Sequence, residues 1–225
     1  MGERSKLGIG QLTLGSHWNP HPSGLRRLLW ELVKRTSVQA VIAPAPLAIT
    51  DPKLFDYPLL WLSGDAAIPP LSDREIEILR RHLRGGGTLI VDAAEAAPGA
   101  FAKSVRREIA RVFPGESWHA MSPEHVVFKS FYLVDSVAGR ILARGDLEAI
   151  EHDDRALVIF SSNDLAGAWA RDALGSWENA VEPGGEKQRE MSFRLGINLM
   201  EYALCGNYKR DQVHAPYILK RRMGR

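Results

Sequence analysis

Four clusters of side chains able to do chemistry each follow a short apolar run: His17-Trp18-Asn19, Ser63-Gly64-Asp65, Asp92 with Glu95, and Ser161-Ser162-Asn163-Asp164 with Trp169 just beyond. Carboxylates and imidazoles activate water when burial or a neighbouring charge brings their pKa toward neutrality. Asp92 and Glu95 are therefore the candidate catalytic acids, with His17 or His214 as the partner imidazole, with or without a metal ion. His17, Trp18, Asn19, Gly64, Asp92, Asn163, Asp164 and Trp169 are the candidate ligand contacts. The same residue types cap helices and build turns, so a structural role stands beside the functional one for each of them. Trp169 and Trp177 read as members of a long loop, where aromatics either close over a ligand or pin the loop to the core.

Other chemistries lack their signatures. His17 and His21 are four apart, but Asn19-Pro20 and Pro22 make that stretch a loop, and neither HExxH nor paired-cysteine spacing occurs, so no metal and no cofactor is expected. Gly85-Gly86-Gly87 follows a helix and precedes a strand, the reverse of a phosphate-binding turn, and reads as a helix stop. The lone cysteine, Cys205, falls in the last helix rather than at a strand-to-helix elbow, and no G-x-S-x-G is present. An acyl-transfer nucleophile is thus missing. Asp153-Asp154 reads as an exposed turn.

These clusters need elements that bring them together. Residues 7–14, 38–43, 57–62, 88–92 and 156–160 are apolar runs of strand length, continuous rather than alternating, as strands covered on both faces require. Between them lie amphipathic helices. Leu25, Leu28, Leu29, Leu32 and Val33 share one face behind Ser23 as a cap. Ile76, Leu79 and Leu83 follow the capping box Ser72-Asp73-Arg74-Glu75, and Phe101, Val105, Ile109 and Val112 lead to Pro114-Gly115. The order β-α-β-β-α-β-α implies right-handed crossovers and a doubly wound, mainly parallel sheet with helices on both faces. Residues of about 115–155 are less regular, with a short strand at 147–150, and a loop of roughly twenty residues precedes a final helix over about 187–204. In such a sheet the strand exits line one rim, where ligands bind.

With 225 residues, 45% hydrophobic and 25% charged, the chain has the balance of one globular α/β domain. Its formal charge of +2 sets up no strong field toward nucleic acid. The basic residues Lys209, Arg210, Lys220, Arg221, Arg222 and Arg225 form a cationic tail over about 207–225, either a solvated end or a docking patch for an acidic partner; no nucleic-acid motif accompanies it. No run is long enough to span a bilayer, and Met1 to Lys6 lacks the apolar stretch of a signal peptide, which reads as cytoplasmic unless a leader was removed.

Several motifs occur together in a fixed order. They are Phe55-Asp56-Tyr57-Pro58-Leu59-Leu60-Trp61-Leu62-Ser63-Gly64, the helix start Leu71-Ser72-Asp73, the run Gly86-Gly87-Thr88-Leu89-Ile90-Val91-Asp92, Ser161-Ser162-Asn163-Asp164-Leu165 with Gly167-Ala168-Trp169, and Gly206-Asn207-Tyr208-Lys209 with Asp211-Gln212-Val213-His214. Over nearly its whole length the chain resembles the bacterial family called domain of unknown function 4159. The resemblance implies a class I glutamine amidotransferase-like, flavodoxin-like fold. It also implies possible export or membrane tethering, and partners such as MoxR-type ATPases or von Willebrand A-type proteins. The chain departs from the family pattern at Ala93, where a second acid is common, and at Glu124-His125-Val126, where Asp-His-Pro is common. Two functions follow as expectations: a non-catalytic module binding a protein or small molecule at the rim, and, as the alternative, a hydrolase built on Asp92 with a rim Glu or His. Glutamine amidotransferase activity is not expected.

Overall fold

Apolar side chains that run on without alternation end up in the middle of a sheet covered on both faces. The computed structural model describes residues 6–95 and 99–223, with the residues from 205 onward described by backbone alone. Its seven strands are β1 (Ile9–Leu12), β2 (Ala45–Leu47), β3 (Leu59–Gly64), β4 (Thr88–Ala93), β5 (His119–Ala120), β6 (Glu148–His152) and β7 (Arg155–Ser161), in the sheet order β2-β1-β3-β4-β7-β6-β5. The first five in that order are parallel, and β6 and β5 are antiparallel additions at one side. The fold is α/β, with a mixed, mostly parallel sheet.

Helices α1 (Gly24–Arg35), α2 (Asp73–Arg84), α3 (Ala100–Val112), α4 (Leu165–Trp169) and α5 (Gly185–Met223) divide between the two faces. Trp61 and Ile90 of the sheet pack with Leu28 and Leu29 of α1, Trp169 of α4 and Ile197 of α5. Their neighbours along the strands, Leu60, Leu62, Leu89 and Val91, point the other way onto Leu79 and Leu83 of α2 and Val105 and Ile109 of α3. Burying each large aliphatic side chain of this kind contributes roughly 1.5–3 kcal/mol. Both faces are therefore sealed, and the chain's chemistry is confined to the sheet's edges and loops.

The capping box forms as read: the Ser72 hydroxyl accepts from the Glu75 amide while the Glu75 carboxylate accepts from the Ser72 amide. Gly85 stops α2, and Gly86 beyond it has a φ of 122°. Asp153 and Asp154 both take positive φ and close the β6–β7 hairpin, the backbone that a type I′ turn needs.

Four expectations are corrected. The second strand lies at Ala45–Leu47 rather than 38–43, where Ala40 makes only an isolated bridge to Leu7. Pro46 is tolerated there because β2 pairs with β1 alone, on the outer edge. Ser23 does not cap α1; its hydroxyl accepts from the Arg171 amide at 2.8 Å and ties α1 to the segment after α4. The final helix is much longer than 187–204, running over 39 residues from Gly185 to Met223, so the backbone of most of the basic tail is helical. The stretch after Asp164 is not all loop, since it opens with α4, and the loop proper begins at Ala170.

The irregular segment between α3 and β6 is held by side chains in place of ladders. Asn198 of α5 is wholly buried and makes four hydrogen bonds, donating to the carbonyls of Val127 and Tyr132 and accepting from the amides of Phe131 and Tyr132. This uses the full donor and acceptor capacity of the carboxamide. Asn198→Ala should strand these backbone groups and lower unfolding free energy by about 2–4 kcal/mol, as read from denaturant midpoints, with the sheet retained.

Candidate functional site

Because β1, β3, β4 and β7 are adjacent and parallel, their carboxyl ends emerge on one edge. The residues that follow them divide into a buried acid network and an exposed pair.

The network centres on Asp92, the fifth residue of β4, with no exposed surface at all. Its Oδ1 accepts from the Leu165 amide at 2.7 Å and its Oδ2 from the Ala166 amide at 2.8 Å. Those are orphan donors at the start of α4, so the carboxylate supplies from β4 the acceptors that the helix lacks. Asp164, just before them, sits in the left-handed region at φ 55° and ψ 65°, a conformation that costs a non-glycine residue on the order of 1 kcal/mol. It is held there by its own side chain. Oδ1 accepts from the Gly167 amide at 3.0 Å and lies 3.2 Å from His21 Nε2, while Oδ2 meets Arg140 Nε. A Cβ at residue 167 would stand 2.3 Å from Asp164 Oδ2, and one at residue 24 would stand 2.3 Å from the Ala166 carbonyl. Glycine at these two positions lets the turn and the start of α1 close over the network.

Charge accounting explains the network's titration. The Asp164 carboxylate faces the Arg140 guanidinium, so the rest of the network is neutral when one proton is divided between Asp92 and His21. Burial raises the Asp92 pKa to about 7, the nearby Asp164 charge pushes the same way, and the two amide hydrogen bonds and His21 only partly oppose them. Burial works against a charged His21, yet the hydrogen bond to Asp164 and the charges of Asp164 and Asp92 outweigh it and Arg140, leaving its pKa raised.

The exposed pair is His17 and Asp65, with Nδ1 and Oδ1 3.0 Å apart and side chains 60% and 40% exposed. The Ser63 hydroxyl donates to the Trp18 carbonyl at 3.3 Å, fixing the loop after β1 onto the end of β3. Gly64 lies beneath it, where a Cβ would stand 2.5 Å from the Phe101 ring and 3.3 Å from the His17 carbonyl. His17, Trp18, Gly64 and Asp65 are thus brought together, and partly exposed Asn19 follows them in the same loop.

The remaining sequence candidates are placed elsewhere or are already engaged. Asn163 is fully buried; its side chain accepts from the amides of Ala143 and Arg144 and donates to the carbonyls of Val137 and Arg144. Glu95 accepts from the Ala102 amide at 2.8 Å and so caps α3, whose N-cap residue Gly99 has no side chain to do it. Trp169 ends α4 inside the core, against Trp61 and Phe193, with Nε1 donating to Ser192 Oγ. The side chains of Cys205 and His214 lie outside the described residues. His21 and Arg140 were missed as members of the network. His21 sits among prolines that mark only a loop, and Arg140 lies in a segment without periodicity. Among the described residues, no three His, Cys, Asp or Glu side chains are grouped to hold a metal ion.

Both titrations give the same pH sign. Folded Asp92 retains a proton that the unfolded chain releases at the ordinary carboxylate value of 3.8, so its contribution is full below that value and lost as pH rises toward 7. His21 contributes fully below 6.5 and loses that contribution as pH rises through its raised folded value. The stability of the wild type relative to Asp92→Asn should therefore fall between about pH 4.5 and pH 7.5, measured as the difference in denaturation midpoints.

A sequence profile of the family described as Domain of unknown function (DUF4159) matches residues 8–204, a span that includes every strand and the whole acid network. No curated protein matches the chain. The match extends over most of the sequence, and the chain belongs to the DUF4159 family.

Proposed function

We propose that this protein is a non-catalytic binding or scaffold module built on a flavodoxin-like, class I glutamine amidotransferase-like frame. The parallel strands, numbered among themselves in chain order, run 2-1-3-4-5 across the sheet, the flavodoxin-type order, which supports the fold reading. The chain's single cysteine lies on α5, and the strand exits carry histidine, serine, aspartate and asparagine instead. A frame of this kind without a thiolate at a strand exit has lost the group that attacks an acyl carbon.

The observation that carries the proposal is the enclosure of Asp92. A general base must come within hydrogen-bond reach of the proton it removes, and both Asp92 oxygens are already engaged by backbone amides in a site without solvent access. Its raised pKa is the consequence of structural burial. Protein partners are part of the same proposal. Phe131 and Leu133 are 46% and 84% exposed on the backbone that Asn198 clamps, so recognition there would carry little ordering cost. No helix among the described residues is long and apolar enough to cross a membrane.

The hydrolase alternative has one observation in its favour, the accessible His17–Asp65 pair. A panel of esterase, amidase, phosphatase and glycosidase substrates, assayed on the wild type, Asp92→Asn and His17→Ala, separates the readings. The expected outcome is no turnover above background in any of the three. Turnover by the wild type that is lost in either variant while the fold is retained would overturn the proposal.

A further inference from the structure

The irregular segment between α3 and β6 holds a cavity of about 110 Å³, smaller than the pockets that take drug-sized ligands and suited to a single side chain. Its floor is apolar, formed by the buried side chains of Met121, Phe128, Val134 and Val137. Its mouth is acidic. Asp135 is exposed there, and half-buried Asp146 stands beside exposed Gly145.

The two acids differ in their surroundings. Asp146 is matched by Arg144, whose Nε and Nη2 donate to its two oxygens at 2.7 and 2.9 Å. Asp135 has no ion-pair or hydrogen-bond partner among the described residues, so its negative charge at the mouth is left unmatched. An apolar floor below one unmatched carboxylate fits a side chain whose methylene stem enters the cavity while its cationic end stays at the opening, as those of lysine and arginine do. A purely apolar side chain would desolvate Asp135 without pairing it, and an acidic one would be repelled.

The flanking chain favours a protein as the source of that side chain. Phe131, Leu133 and Leu142 of the same segment are 46%, 84% and 51% exposed, and large apolar side chains gathered in this way mark an interaction surface. A free amine would leave them in water. The backbone that carries them is fixed in advance, because Asn198 holds residues 127–132 and Asn163 holds residues 137–144, so docking has little left to order. Resting on the binding-module reading, we infer that the cavity floored by Met121, Phe128, Val134 and Val137 receives a lysine or arginine side chain of a partner protein. Asp135 pairs with its charge, and the partner's adjoining apolar residues lie on Phe131 and Leu133.

The test is titration of the full chain with two acetylated and amidated peptides, Ala-Leu-Lys-Leu-Ala and Ala-Phe-Arg-Phe-Ala, followed through the Met121 and Val137 methyl resonances. Counterparts with leucine or glutamate at the central position, and n-butylammonium, are titrated separately. At least one basic peptide should shift both signals at millimolar concentration, and added salt should weaken it. Affinity should fall about fivefold in Asp135→Asn, the upper range for an exposed ion pair. A Cβ at residue 145 meets nothing within 4 Å, so Gly145→Leu obstructs the mouth without a clash and should abolish the response with the amide spectrum otherwise unchanged. Equal binding of the leucine-centred peptides would overturn the basic anchor and leave the binding module standing. A response to n-butylammonium with none to the peptides would overturn the protein source. No response to any probe, or an undiminished response in Gly145→Leu, would overturn the site assignment. Hydrolysis of a peptide during the titration would overturn the non-catalytic reading itself.

Discussion

The carboxylate of Asp92 joins the sheet to the helix that closes its edge. Each of its oxygens meets a backbone amide at the start of α4, so the end of β4 and the turn after β7 are fixed relative to one another. From that junction the constraints spread outward. Asp164 can remain left-handed because His21, Arg140 and the Gly167 amide satisfy its side chain, and Gly24 can approach Ala166 because it lacks a Cβ. An acid at this depth is costly when charged and unpaired. The network limits that cost by raising the Asp92 pKa, so that the acid holds its proton more tightly, and by setting Arg140 against the second carboxylate.

This arrangement gives the residues of one rim two different settings, buried and exposed. The groups following β4 and β7 face inward and hold the frame, whereas those following β1 and β3 face solvent. A perturbed pKa often marks a catalytic group, and Asp92 carries the most obvious one in the rim. Its perturbation has a sufficient structural cause in burial beside Asp164.

Much of the architecture was legible in the residues because the strongest signals are local. The continuous apolar runs of β3 and β4, the capping box of α2 and the glycines after it each state a local preference that agrees with the fold, and each formed. Pro44 and Pro46 follow the apolar run 38–43 and argue against a strand at Ala45–Leu47, an argument that holds only until the strand is known to be an edge. The limits of α5 were hidden because its final turns lack the apolar stripe on which the reading relied. At the site, Asp92 was legible as a strand-end acid, but its enclosure was not. The amides that enclose it come from α4, more than seventy residues away in the chain, and backbone donors leave no mark on side-chain pattern. Arg140 and Asn198 were invisible for the same reason, because each acts on a part of the chain to which no periodicity connects it.

The two asparagine clamps give the irregular segment a freedom that a ladder would deny it. Asn198 anchors residues 127–132 and Asn163 anchors residues 137–144, and between the two anchors no strand register is at stake. One residue inserted into β3 would reverse every following side chain between the two cores, whereas one inserted between the clamps would only lengthen a bight tied at both ends. The molecule can thus vary its outline at exposed Asp135 and Ser136 while Val134 and Val137 stay in the interior on either side, as a rope moored at two posts can be let out while both posts stand.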